Sequence, residues 1–484
     1  MSDLVVGMAL IAVVLLVSAL ASGIVERAPL SFPIIFLGLG FLLGANGLGV
    51  IAVHLHSPIL EVVAIVSLSL VLFLDAVNIQ VDELRSDWRV PMLSLGPGTL
   101  LIIAIVAAAA YLLVGTTPVQ SLLLGAILAS TDPVVLRDVV RDARIPRSVR
   151  RALSVEAGMN DIVVLPLVLI LIALLRAEVG GMLDWLRFLA QLLLLSPLVG
   201  ILVGGVGAWL MGRADARWGI RREYQALYGI GLVLASYAAG QAVQGDGFLA
   251  AFFGGLAVTL FNVSLCDCFL EYGEVTAEMA MLLAFVLFGA VLSTLLGTVA
   301  LLPAFVLALV VIGVARPLAL WLVLQRATMS NAARAFIGWF GPRGLNSLLL
   351  ALLAVQAGVP GAEGLLAITG VVVLLSVVLH GVSATPLAAW YGRRVAQQTL
   401  AEEREATATG LFQHDANEVP RITPAELAVR LATPHPPIVL DVRTRSQYEQ
   451  DDAQIPGSVR VAPDQVEAWA AHEARERSVV AYCT

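Results

Sequence analysis

Residues 121–140 read SLLLGAILASTDPVVLRDVV, and residues 332–350 read AARAFIGWFGPRGLNSLLL. Both stretches are mostly apolar, and both are broken near the middle by a proline beside a charge: Ser130-Thr131-Asp132-Pro133 in the first, Gly341-Pro342-Arg343-Gly344 in the second. A helix in hydrocarbon tolerates such a break only where the backbone is buried in protein or lines a cavity. A matched pair of breaks in the two halves of a chain is the mark of an inverted repeat with a site near the membrane midplane. Two independent proline kinks would leave the charges unexplained. Asp132 can neutralise half-helix N-termini, and Arg343 the opposing C-terminal ends.

The surrounding sequence supports a membrane setting. Of 484 residues, 59% are hydrophobic and 13% charged, against about 25% charged in soluble domains. Spans of roughly 20 apolar residues fall near 3–23, 29–53, 58–79, 91–114, 118–140, 149–175, 183–211, 222–243, 246–263, 276–296, 299–325, 332–358 and 363–391. The N-terminal stretch has no basic flank and reads as the first span rather than a cleaved signal. Every basic residue is arginine, which excludes lysine Schiff-base and P-loop chemistry. With thirteen spans, seventeen loop arginines fall on one side, from Arg27 to Arg394, and only Arg176 and Arg187 on the other. Positively charged loops stay cytoplasmic. The expectation is therefore an all-α polytopic protein of about thirteen helices, with two broken crossing helices, its N-terminus outside and its C-terminus inside a bacterial inner membrane.

Charge within the hydrocarbon is costly and marks function by default. The candidates are Asp75, Asp132, Glu156, Asp161, Arg316 and Arg343. Asp161 lies eleven residues after Arg150 and fifteen before Arg176, near mid-membrane. Glu156 and Asn160 share one face of a helix, with Asp161 turned about 100° from Asn160. Arg316 stands alone in LALVVIGVARPLALWLVL, residues 307–324. A buried acid needs a cation and a buried guanidinium an anion, so Glu156 and Arg316 are expected to pair as a structural lock.

In combination these motifs resemble the sodium/proton antiporter branch of the monovalent cation/proton antiporters. They comprise Thr131-Asp132-Pro133, Glu156 followed by Asn160-Asp161, and the glycine-arginine-glycine element around Arg343. Hydropathy agrees over residues 1 to about 394. The resemblance implies a core domain moving against a dimerisation domain in a homodimer. It makes Asp161 the carrier of cation and proton, with Thr131 lending an oxygen and Asp132 supporting the crossed half-helices. Asn160 stands where electrogenic relatives have a second aspartate, which implies electroneutral exchange. Ala157 replaces a frequent serine ligand, and Asp75 or water would supply the missing oxygen. The ion is expected to be Na⁺ or Li⁺, with K⁺ as the alternative. No cofactor, transition metal or nucleic-acid partner is implied; the partners are the cation, H⁺ and lipid.

After residue 392 the composition turns charged, so 1–394 is read as the membrane domain, 395–420 as a linker and 421–484 as a small cytoplasmic α/β domain. Strands are expected at 438–442 and 479–483 and helices around 424–431 and 465–474. Asp441-Val442-Arg443, Ile455-Pro456-Gly457-Ser458 and Tyr482-Cys483 resemble a rhodanese domain. That resemblance makes Cys483 the persulfide carrier. The loop that would follow Cys483 is absent, and Gln454 stands at the usual histidine, so the domain reads as incomplete and sulfurtransferase activity is not expected. Truncation is the favoured explanation. Cys266 and Cys268, in LCDCFLEYGE, lack two further soft ligands for zinc, and His380 reads as a packing residue. The rival functions are an ion- or redox-sensing receptor signalling through the tail, and a membrane-anchored sulfurtransferase.

Overall fold

The computed structural model describes positions 12, 13, 16, 17 and 20, then 32–51, 53–79, 89–133, 136–142, 144–176, 180–261, 263–327, 329–398, 422–433, 436–450, 453–472 and 478–482. Most of the span expected at 3–23 and nearly all of the linker lie outside these residues, as does Cys483.

The membrane part is a packed array of helices: α1 (Phe32–Leu43), α2 (Pro58–Val77), α3 (Arg89–Val114), α4 (Pro118–Ala129), α5 (Arg137–Arg141), α6 (Arg147–Arg176) and α7 (Met182–Trp218). Then come α8 (Arg222–Ala242), α9 (Gly247–Phe261), α10 (Val263–Leu295), α11 (Leu301–Arg326), α12 (Asn331–Trp339), α13 (Leu345–Gln356) and α14 (Ala362–Gln397). Seven stretches among the described helices are long and apolar enough to cross a membrane, and the protein is a multi-pass membrane protein.

Two expected boundaries are corrected. The span drawn at 29–53 holds a helix only to Leu43, because Gly44-Ala45-Asn46-Gly47 turns the chain and Gly49 sits at φ +66°. Apolar composition did not separate turn from helix there. Asn46 Nδ2 ties this turn to Ser293 O at 2.8 Å. Helix α10 begins at Val263, thirteen residues before the expected 276. Its acidic first turns looked like a loop, yet Leu265 and Phe269 are buried on one face, and the Phe269 ring meets Phe73 edge-on at 5.1 Å.

Wide π turns occur in α3, α7 and α11, at Ser94–Gly98, Gln191–Leu195 and Val311–Ala315. Pro97 lies inside the first, while Pro197 and Pro317 each stand two residues past the others. A proline lacks the N–H for the preceding turn and crowds its carbonyl, so the helix widens there. In α11 the widened turn ends directly at Arg316.

The C-terminal residues form a three-stranded parallel sheet in the order β2-β1-β3, with β1 (Ile438–Asp441), β2 (Val459–Arg460) and β3 (Val479–Tyr482). Around it lie α15 (Pro424–Leu431), α16 (Arg445–Gln450) and α17 (Val466–His472). Thr423 and Glu426 form a capping box at the start of α15, a pairing that satisfies two orphan helix donors. Leu440, Val442 and Val461 make the small core.

Candidate functional site

Helix α4 stops at Ala129 because the next residues must feed Pro133, which disfavours helical backbone before it; Ser130 is already extended at ψ 135°. Helix α12 stops at Trp339, and residues 340–344 are non-helical before α13 starts. The two breaks meet in the interior. Asp132 N–H donates to Pro342 O at 2.9 Å, and Leu345 N–H, at the start of α13, donates to Asp132 Oδ2 at 2.9 Å. Arg343 Nη1 donates to Ala129 O and Ser130 O, both at 3.1 Å, at the end of α4. A carboxylate thus sits at one half-helix N-terminus and a guanidinium at the opposing C-terminus, the arrangement that helix dipoles favour. Gly344 allows this approach, since a Cβ there would run into the Asp132 carboxylate.

Asp161 lies on α6 beside this crossing and is 4% exposed. Its two carboxylate oxygens are held by the two interrupted elements: Ser130 Oγ donates to Oδ1 at 2.8 Å, and Asn346 Nδ2 to Oδ2 at 2.8 Å. Asn160 Nδ2 donates to Ala129 O at 3.1 Å. Asn160 Oδ1 and Thr131 Oγ1 are buried without a hydrogen-bond partner among the described residues. Buried polar oxygens normally have partners, so these two are available to a ligand.

Glu156 does not join this group. It forms a two-pronged ion pair with Arg316, whose Nη1 donates to Oε1 and whose Nη2 donates to Oε2 at 2.6 Å. Arg316 Nη2 also donates to Phe340 O at 2.8 Å and Ile337 O at 3.2 Å, closing the end of α12. Both side chains are 2% exposed. Asp75, on α2, lines a cavity of about 900 Å³ together with Ala157 and Gly158 of α6. His380, on α14, approaches Trp339 O at 3.0 Å and Ser376 O at 2.8 Å, while Ser376 Oγ accepts the Arg343 N–H at 2.7 Å. It packs behind the crossing, away from Asp161. Cys266 and Cys268 fall on α10, their side chains beyond what the structure describes.

Sequence reasoning missed Ser130 and Asn346 as partners of Asp161. Each is a small polar residue next to a break, Ser130 before Thr131-Asp132 and Asn346 two residues past Gly344, and that adjacency was the available signal.

Residues 11–390 match the family described as sodium/hydrogen exchanger, transmembrane. The chain belongs to this exchanger family. The exchanger is 28% identical over 396 residues to the K(+)/H(+) antiporter NhaP of Alkalimonas amylolytica, covering 80% of this chain and 67% of that protein. It is 30% identical over 384 residues to the K(+)/H(+) antiporter NhaP2 of Shewanella sp. (strain MR-4), covering 77% of this chain and 64% of that one. The match therefore spans about two thirds of the length of these curated relatives. In fold, the exchanger superposes on the sodium proton antiporter MjNhaP1 from Methanocaldococcus jannaschii at pH 8 with a TM-score of 0.66 and 20% identity, covering 78% of this chain and 99% of that structure.

Proposed function

We propose that this exchanger is a secondary antiporter in which one monovalent cation and one proton compete for the Asp161 carboxylate. The observation that carries the reading is the buried carboxylate held by Ser130 and Asn346, one side chain from each interrupted helix. An ionised, empty carboxylate is costly to move through a low-dielectric barrier, whereas the protonated and the cation-loaded forms are both neutral. Only loaded states then cross, which couples the two fluxes. One charge exchanged for one charge makes the cycle electroneutral, and Asn160 adds no second acid.

Cation loading would turn the Ser130 donor into an oxygen ligand, while Asn346 keeps its hold on Oδ2. Rotation of the Ser130 hydroxyl turns a donor into an acceptor, and Thr131 Oγ1 and Asn160 Oδ1 stand open. Oxygen ligands suit hard cations. The motif resemblance favours Na⁺ or Li⁺; the K(+)/H(+) names of the relatives at 28% and 30% identity favour K⁺. In this reading Asp132 and Arg343 hold the crossing, Glu156 and Arg316 lock α6 to α11 and α12, and Asp75 meets ions in the cavity.

The same reading takes residues 1–394 as a thirteen-helix unit that dimerises in a bacterial inner membrane, with the N-terminus outside. Residues 395–420 act as linker, and 421–484 as a cytoplasmic rhodanese-like domain in which Cys483 would hold any persulfide.

The test is collapse of a pH gradient in everted vesicles on adding Na⁺, Li⁺ or K⁺ salts, native chain against Asp161→Asn. Collapse with at least one cation, abolished in the variant, is expected and names the ion. Equal collapse in both removes Asp161 as carrier; no collapse with any cation favours the receptor.

A further inference from the structure

The C-terminal α/β unit rests on the helix that carries Asp161. Asp464, in the short turn before α17, accepts the backbone N–H of Arg147 through Oδ2 at 2.6 Å, and Arg147 Nη1 reaches the Asp464 carbonyl at 3.4 Å. Arg147 is the first residue of α6, so this carboxylate from the far end of the chain caps a 30-residue helix at its positive end. Arg445 Nη2 holds both Asp464 oxygens at 3.1 Å, and the Asp464 side chain is only 6% exposed. The aspartate is committed to this contact and to its own unit at once.

The contact borders the cavity of about 900 Å³, which Arg147 helps to line. Asp75 of α2, Gly158 of α6, three residues before Asp161, and Glu274 and Glu278 of α10 line it. The C-terminal unit lines it too, through Arg460 and Trp469 among others. The structure therefore has the C-terminal unit as part of the boundary of this cavity. Its lining sets Arg460 and the arginines of early α6, which repel a cation, beside the acids.

We propose that the C-terminal unit is an autoinhibitory cap that narrows this cavity, held by Asp464 on the N-terminus of α6, and that its departure from α6 widens the cavity's access to solvent. Its role in ion exchange rests on the function proposed above, whereas its role as a cap does not. Detachment costs α6 its carboxylate cap and the Arg147 contact, so anything that competes for Asp464 or Arg445 would raise the open fraction.

The test separates the two claims by combining thiol labelling with transport. In a chain with Cys266, Cys268 and Cys483 replaced by serine, Gly158→Cys places a thiol in the cavity lining, where an added Cβ meets only Asp75 O at 3.8 Å. Labelling by a membrane-impermeant maleimide in everted vesicles reports opening. Asp464→Ala is expected to speed labelling about fivefold, the factor that loss of one helix cap corresponds to. Arg445→Ala, which removes the guanidinium holding both Asp464 oxygens, is expected to shift it the same way. Asp464→Asn, which keeps an acceptor, should fall between. Unchanged labelling in both alanine variants overturns the cap. Faster labelling with an unchanged exchange rate also overturns the autoinhibition. Faster labelling with no exchange even in the native chain sinks the proposed transport and leaves the cap standing.

Discussion

Asn346 Nδ2 donates to Asp161 Oδ2 at 2.8 Å, joining residues 185 positions apart. With Ser130 on the other oxygen, this makes the carboxylate the point at which α6, the α4 break and α13 are tied together.

In the proposed cycle, removing that donor weakens the ionised state that a cation needs. Hydrogen bonds to charged groups contribute about 1.5–3 kcal/mol, so Asn346→Ala is expected to raise the apparent KM for the cation roughly tenfold, with less effect on the maximal rate. Cation titrations of exchange at fixed pH measure it. A KM within twofold of native would remove Asn346 from the site.

Glu156 and Arg316 predict a different pattern, in stability. Breaking a buried pair leaves one uncompensated charge and costs about 3–5 kcal/mol, whereas apolar replacement of both is often neutral. Arg316→Met alone should therefore lower the melting temperature of detergent-purified protein sharply, and Glu156→Leu with Arg316→Met should recover most of it. A double variant as unstable as the single one would show that Arg316 acts mainly on Ile337 O and Phe340 O.

Gly344 is the tightest backbone approach of the crossing. Any side chain there would collide with the Asp132 carboxylate that caps α13. Gly344→Ala should abolish exchange and reduce folded yield. Gly231→Ala, where an added Cβ meets nothing within 4 Å, should leave both at native level. Folded yield by size-exclusion chromatography and vesicle exchange decide the comparison.

These predictions also mark where sequence was informative. Proline beside charge, twice, was enough to locate the breaks, because a membrane helix cannot hide either feature. The isolated Arg316 and the isolated Glu156 were visible for the same reason. Ser130 and Asn346 were not, because small polar residues carry no desolvation cost large enough to stand out, and their roles depend on which half-helix ends face each other. The turn at Gly44 was invisible because apolar loops and apolar helices share a composition in a membrane protein. The acidic start of α10 misled in the opposite direction: only the spacing of Leu265 and Phe269 betrays the helix. Strand β2, two residues long, lies below any periodicity. Nothing local in Pro463-Asp464-Gln465 tells that its aspartate caps a helix more than 300 residues upstream.

The C-terminal unit has its own acid limit. Burial pushes the Asp441 carboxyl up, but hydrogen bonds from Arg443 outweigh it and leave it below the ordinary aspartate value. Arg443 Nη2 lies 2.7 Å from Oδ2, and its Nε 3.0 Å from each oxygen. A carboxyl whose folded value is depressed binds fewer protons folded than unfolded, so its contribution is complete above the unfolded value near 4 and is lost as pH falls through the folded one. Hydrogen exchange at Val439 and Leu440 of β1, corrected for the intrinsic pH dependence, should show constant protection from pH 7 to 5 and a decline below about pH 4. Asp441→Asn should be less protected at pH 7 and should lack most of that decline. The same fall in the variant would assign the acid limit to other groups, and no fall in the native chain would mean that Arg443 does not hold Asp441 in solution as it does here.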